Sequence, residues 1–242
     1  MTRSPSPPRR IVLMRHGSAD ERPRGVPAAR TCLGADSERE ADAAGALLAA
    51  CGVRIDRAAT GGAPLAVQTA QRVLRAAGGG PVTLEHDPGL AQVRGGATGD
   101  SAPELAELAF MRPFRPALDM EAQRLRGGES VGELLDRVLP AFEAWLVRED
   151  WRCLLLVLSD AVNRALLSTA LVGERAFMGR IEQQPACINV LDVAGPGAAE
   201  VRAINVAPRR WLQARPQGAS LDDLLRQLRH RAIGTVEPVL PR

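Results

Sequence analysis

Arg15-His16-Gly17 follows directly on the apolar run Ile11–Met14. A histidine at the end of a strand can attack phosphorus through one ring nitrogen when a hydrogen bond orients the other. An adjacent arginine can hold phosphoryl oxygens with its planar fork. A second apolar run, Cys153–Leu158, ends on Ser159-Asp160. Together with His16, these residues contain the types found in a hydrolytic triad. Glu85-His86-Asp87 is a third polar cluster. Neighbours at a strand end cannot all face one pocket, so no metal site is expected there. Gly61-Gly62 and Gly78-Gly79-Gly80 lack a following Lys-Ser/Thr and read as turns, not as a phosphate loop.

The elements that must position these groups are legible from pattern. Residues 1–9 read as a disordered leader and 10–242 as a single domain. Ile11–Met14 reads as a buried strand. Ser37-Glu38-Arg39-Glu40 has capping-box spacing and opens a helix through Ala50, with Gly52 as its stop. Residues 55–60 form a weak strand candidate. Pro64 starts a helix to Ala77. Val82–Leu84 is a short strand, and residues 104–110 a short helix in a loop-rich stretch. The apolar spacing of Val131, Leu134, Leu135, Val138, Phe142, Trp145 and Leu146 predicts a helix over 130–147, kinked at Pro140. Cys153–Leu158 reads as a central strand buried on both faces, followed by a helix over 162–171. Residues 188–193 and 201–206 read as a hairpin, and 220–229 as a final amphipathic helix. Alternating strands and helices predict an α/β three-layer sandwich, with a mostly parallel central sheet and helices on both faces. Ligands of such sheets bind beyond the C-terminal strand ends, which would bring Arg15-His16 near Ser159-Asp160.

The order of these segments resembles the histidine phosphatase superfamily, the phosphoglycerate-mutase-like proteins, over roughly residues 10–207. Leu13-Met14-Arg15-His16-Gly17 matches the opening motif, and Gln68-Thr69-Ala70 the helix after the second strand. Gly127-Gly128-Glu129-Ser130 matches the segment before the long helix, and Val162-Asn163-Arg164-Ala165-Leu166-Leu167 the helix after the last core strand. The resemblance implies that His16 is the phosphate acceptor and that Arg15 contacts the phosphoryl group. It also implies four further features that this chain lacks. Leu65 stands where a second arginine is usual. Gln92 stands where a carboxylate protonates the leaving oxygen. Ser159, or Asp160 if the alignment shifts by one residue, stands where a second histidine is usual. The residue before the first helix that often contacts phosphate is not evident. Arg94, Arg112, Arg115, Arg124 and Arg126 could restore positive charge over the site.

Losing one charge-stabilising donor commonly costs roughly 3 kcal/mol of barrier. Losing the general acid removes about 10²–10⁴ in rate for a poor leaving group. The expectation is therefore a pseudophosphatase that binds a small anionic ligand or a partner, with no cofactor. Two alternatives stay open: an atypical phosphomonoesterase acting through phospho-His16, and an enzyme of another reaction class in the same cleft. Composition narrows the rest. The chain has 31 Lys+Arg residues, every one of them arginine, and a formal net charge of +3. Aromatics make up only 3% and basic runs are short, so a nucleic-acid platform is not expected. No run of apolar residues is long enough to span a membrane. Four cysteines without paired spacing indicate neither a zinc knuckle nor a disulfide framework, so a reducing cytoplasm is expected. Cys153 and Cys187 read as core and His230 as surface. The final amphipathic helix could pack on the chain's own sheet or on a second copy, which leaves a homo-oligomer open.

Overall fold

The computed structural model describes residues 9–19, 31–94, 121–122, 124, 128–179, 181–195 and 198–209. The expected helices at 104–110 and 220–229, His230, and three of the arginines that could restore charge over the site (Arg112, Arg115 and Arg126) lie outside the described residues. In chain order the elements are β1 (Arg9–Arg15), α1 (Ala35–Ala50), β2 (Arg57–Thr60), α2 (Pro64–Ala77), β3 (Leu84–His86) and a 3₁₀ turn (Pro88–Leu90). They continue with α3 (Val131–Val147), β4 (Cys153–Leu158), α4 (Asp160–Val172), β5 (Ile188–Gly195) and β6 (Ala198–Val206).

The six strands form one sheet in the order β3-β2-β4-β1-β5-β6. β3, β2, β4 and β1 are mutually parallel, and only β5 runs against them, pairing antiparallel with both β1 and β6. β4 is fully buried along its length, as a run of six apolar residues at the sheet centre requires. The pleat sends alternate residues to opposite faces. Val12, Met14, Ala58, Leu155 and Val157 pack with Ala41, Ala44 and Leu48 of α1 and with Ala66, Ala70 and Val73 of α2. Ile11, Leu13, Ala59, Leu154, Leu156 and Leu158 pack with α3 and α4 through Leu134, Leu135, Val138, Phe142, Val162 and Leu166. The result is the expected three-layer α/β sandwich.

Several local expectations need correction. Arg9 is not part of a leader. It starts β1, and its guanidinium stacks on the Trp151 ring, 4.3 Å from the centroid. Ser37 does not cap α1. The helix starts at Ala35 behind Gly34, and the Ser37 hydroxyl instead accepts from the Ser18 amide at 2.8 Å. The capping box that does form belongs to α3, where Ser130 and Glu133 bond each other's backbone amides. α3 runs through Pro140 without a break on its exposed side. β3 lies two residues later than the apolar pattern indicated, because its register to β2 pairs Ala58 with Leu84 and Thr60 with His86. β2 begins at Arg57 and α4 at Asp160, and the hairpin strands extend toward each other.

The two helices of one layer approach closely at Gly45. A Cβ there would lie 2.6 Å from the Val73 carbonyl oxygen and 2.7 Å from the Ala76 Cβ. Gly45→Ala gains up to about 1 kcal/mol of helix propensity. Forcing backbone apart in a packed layer costs about 1–3 kcal/mol. The substitution is expected to destabilise the protein on balance, read as a lower urea midpoint with an unchanged slope.

Candidate active site at the C-terminal edge of the sheet

The β1–β4 ladder ends at Arg15↔Leu158, and one further bond, from the His16 amide to the Leu158 carbonyl at 2.9 Å, extends it. His16 therefore stands at the C-terminal edge beside Ser159, which is the N-cap residue of α4. The loop beyond it is tied to both helices of one layer. The Gly17 amide donates to Thr69 Oγ1 at 3.0 Å, and that hydroxyl donates to the Leu65 carbonyl at 2.6 Å. Gln68 accepts from the Leu33 amide and donates to the Thr31 carbonyl. A side chain at Gly17 would meet Leu33 at 2.7 Å and Ser37 at 2.8 Å, so glycine is required there for close approach. The Gln-Thr pair of α2 thus holds the loop that carries the histidine.

His16 Nδ1 lies 2.8 Å from the Gly17 carbonyl. A carbonyl only accepts, so Nδ1 carries the proton and Nε2 keeps its lone pair. Burial pushes the imidazole pKa below the ordinary histidine value, and the Arg15 charge adds to this. The Gly17 hydrogen bond and the Asp160 carboxylate oppose it without reversing it. The ring is neutral at pH 7 and is oriented as a nitrogen nucleophile.

The charged groups around it are largely committed to protein partners. Arg15 is buried and donates from Nη1 to the Gln183 carbonyl at 2.5 Å. Behind it, Gln183 and Asn189 exchange two side-chain amide bonds at 2.8 and 2.9 Å, and Asn163 donates to Gln183 at 3.3 Å. Asn189 also donates to the Leu13 carbonyl, so this buried amide cluster anchors β1 directly below the histidine. Asp160 turns its carboxylate onto Arg164, one helical turn on, at 2.5 and 3.3 Å. Arg164 is itself 1% exposed and also donates to the Gly179 carbonyl. Asp160 is consequently not a bare charge facing the cleft. The Ser159 Oγ is buried with no hydrogen-bond partner among the described residues.

The remaining expected site residues are placed as follows. Leu65 lies half-buried in the first turn of α2, joined to the His16 loop through Thr69. Gln92 and Arg94 are exposed just beyond the 3₁₀ turn. That segment lies against the end of β2, where a Cβ on Gly61 would meet the Leu90 carbonyl oxygen at 2.2 Å. A buried clamp holds it from the other side. Arg137 bonds Glu129 at 2.8 and 2.9 Å and reaches the Gly89 and Ala91 carbonyls, both at 2.9 Å. The Arg94 amide donates to Glu129 at 3.2 Å. Arg124 pairs with Glu133 and the Gly128 carbonyl. Asp87 accepts from the Gly89 amide and from Trp145 Nε1, both at 2.8 Å. Among the described residues no three His, Cys, Asp or Glu side chains are grouped to hold a metal ion. Burial pushes the Cys153 and Cys187 thiols up to about 12, so neither is a nucleophile.

Sequence reasoning missed the Glu129–Arg137 clamp and the amide cluster, whose members come from distant segments. The Asp160–Arg164 pair had a readable signal in its four-residue spacing. Among the described residues no helix is long and apolar enough to cross a membrane.

A family model described as "Histidine phosphatase superfamily (branch 1)" matches residues 11–206. No curated protein matches the chain. Solved structures do. A putative alpha-ribazole-5'-P phosphatase from Escherichia coli has a TM-score of 0.59 at 20% identity, covering 83% of this chain and 97% of that one. A phosphoglycerate mutase from Bacillus anthracis has a TM-score of 0.64 at 14% identity, covering 84% and 95%. A mycobacterial glucosyl-3-phosphoglycerate phosphatase has a TM-score of 0.62 at 19% identity, covering 82% and 99%. At these identities the likeness is one of fold.

Thr69→Val keeps the shape of the side chain but leaves the buried Gly17 amide without an acceptor. It is expected to lower stability by about 1–3 kcal/mol, whereas Thr69→Ser, which restores a hydroxyl, loses less; chemical denaturation of the two variants compares them. Glu129 gives a pH signature. Burial raises its carboxyl, but the Arg137 hydrogen bonds, the Arg94 amide and the two guanidinium charges outweigh that and hold it below the usual carboxylate range. Its ionised form therefore stabilises the fold above about pH 4. That contribution is lost as pH falls through the lowered value. Glu129→Gln should be clearly less stable than the parent at pH 7, with the gap shrinking toward pH 3 in parallel melts.

Proposed function

Because the chain belongs to the histidine phosphatase superfamily, we propose that it is a member that binds a small anionic ligand, or a partner presenting one, without ordinary phosphatase turnover. One observation carries this reading. At the positions where the resemblance implies a second arginine, an acid and a second histidine, Leu65, Gln92 and Ser159 supply no cation and no acid, while the buried Arg164 is neutralised by Asp160. A phosphomonoester dianion needs donors that strengthen as charge develops on the transferred group. Among the described residues Arg15 is the guanidinium next to the histidine in the chain, and it already donates to a backbone carbonyl. The Gln92 amide can donate a hydrogen bond but cannot transfer a proton at neutral pH. The phosphatases and the mutase among the structural neighbours support a phosphorylated or similarly anionic ligand. Unpaired thiols at Cys51, Cys153 and Cys187 suit a reducing cytoplasm.

A second reading is favoured by the His16 ring itself, since Nε2 has no hydrogen-bond partner among the described residues. His16 Nε2 would bond phosphorus as the ester oxygen leaves with its electron pair, and water would then release phosphate from the phosphohistidine. Without an acid, such turnover would be confined to esters whose alcohol leaves as a stable anion. A hydrolytic triad is not supported: His16 Nδ1 is bonded to Gly17, Asp160 to Arg164, and Ser159 to neither.

Phosphate release from p-nitrophenyl phosphate and from alkyl phosphates tests both readings. The first expects rates at background for alkyl esters and no phosphohistidine after alkaline quench. Brisk alkyl-ester turnover that disappears in His16→Ala would overturn it. Turnover of the nitrophenyl ester alone, with trappable phospho-His16, would establish the second.

A further inference from the structure

Strand alternation places a second histidine on the same side of the sheet's C-terminal edge as His16. His16 continues the parity of Val12 and Met14, Ser159 that of Leu155 and Val157, Thr60 that of Ala58, and His86 that of Leu84; the apolar members all pack on the α1–α2 side. His86 and Thr60 are register partners in parallel strands and so project to the same side. In strand order the residues are His86, Thr60, Ser159 and His16, with Ser159 and His16 two residues beyond the level of Thr60 and His86, which register with Val157 and Met14.

His86 is exposed and, among the described residues, makes no hydrogen bond or ion pair. Both flanking carboxylates are committed elsewhere. Glu85 pairs with Arg57 and Arg148, and Asp87 with the Gly89 amide and Trp145. The His86 ring lies over Gly62, where a Cβ would meet Nε2 at 2.2 Å. Gly62 also has φ of +84°, so glycine there meets two demands: a left-handed turn and room for the ring. The ring thereby leans across the end of β2 onto Gly62, two residues before the start of α2.

We propose that His86 forms the far end of the ligand site and receives a second anionic group of a ligand whose first anionic group lies at His16. The proposal rests on the ligand-binding reading above and narrows it to a class: an elongated molecule with two anionic ends. Three strand spacings separate the β1 and β3 axes, roughly 14 Å. The lean of His86 over β2 shortens that span, so the two ends are separated by a spacer of several atoms. A ring N–H bonded to an anionic oxygen is a charge-assisted contact, and the apolar Leu65 side chain suits the uncharged middle of such a ligand.

Calorimetric titration with phosphonates tests this, since they contain no cleavable ester. Hexanediphosphonate, with one phosphonate on each end carbon, should bind about tenfold more tightly than hexylphosphonate, one charge-assisted contact's worth. Ethanediphosphonate, too short to bridge, should show no such gain over ethylphosphonate. His86→Asn should erase the hexanediphosphonate advantage, and Gly62→Ala, which displaces the ring, should do the same. The proposal is overturned if the long diphosphonate shows no preference, if the short one gains equally, or if His86→Asn leaves the gain intact or weakens both long probes alike. Rapid hydrolysis of phosphomonoesters would remove the non-catalytic reading and leave this comparison standing.

Discussion

The hydrogen bond from the His16 amide to the Leu158 carbonyl is the last rung of the parallel ladder between β1 and β4. The rest of the site is referenced to it. It continues strand geometry one residue past β1, so the histidine keeps the orientation that the pleat dictates. It also sets the histidine beside the residue where β4 gives way to α4. Because β4 is buried along its whole length between β1 and β2, this rung is backed by rigid sheet on both sides. Thr69 and Gln68 then hold the following loop against α2, and the Gln183–Asn189 amide pair anchors β1 from below.

An arginine-rich chain need not present positive charge where a ligand would feel it. Of the buried Arg164 and Arg15 and the half-buried Arg137, Arg164 neutralises Asp160 and Arg137 neutralises Glu129, while Arg15 donates to a backbone carbonyl. Burying a guanidinium is costly unless its donors are satisfied, so these groups serve first as internal cross-links. Arg137 shows this most plainly, since it joins α3, the Gly-Gly-Glu-Ser segment and the turn preceding Gln92 in one set of bonds. Among the described residues, the charge near the C-terminal sheet edge follows from this pairing pattern more than from the net charge of +3.

Sequence periodicity determined most of the fold. Apolar runs bounded by turn residues located β1 and β4, and three- and four-residue spacing located α3. Pro64 and Gly78 bracketed α2. These signals are local and strong because burial of a whole strand or a helix face leaves a regular trace. The motif residues Arg15, His16, Gln68, Thr69 and Glu129 were also readable, as was the absence of an arginine, an acid and a second histidine at Leu65, Gln92 and Ser159. Element starts were less legible. Ser37 has the spacing of a cap, yet its hydroxyl serves Ser18, nineteen residues earlier in the chain.

Partnership was decided only by tertiary structure. Nothing in the local pattern states that Asp160 faces Arg164 and not the cleft, that His16 Nδ1 is held by its neighbour's carbonyl, or that His86 lies across Gly62. Each of these depends on register and loop geometry, which bring together groups distant in sequence or choose among side-chain directions that local propensity leaves equal. Residue type and spacing thus established which chemistry the chain could attempt. The packing of the sheet edge established which of those groups remain available for it.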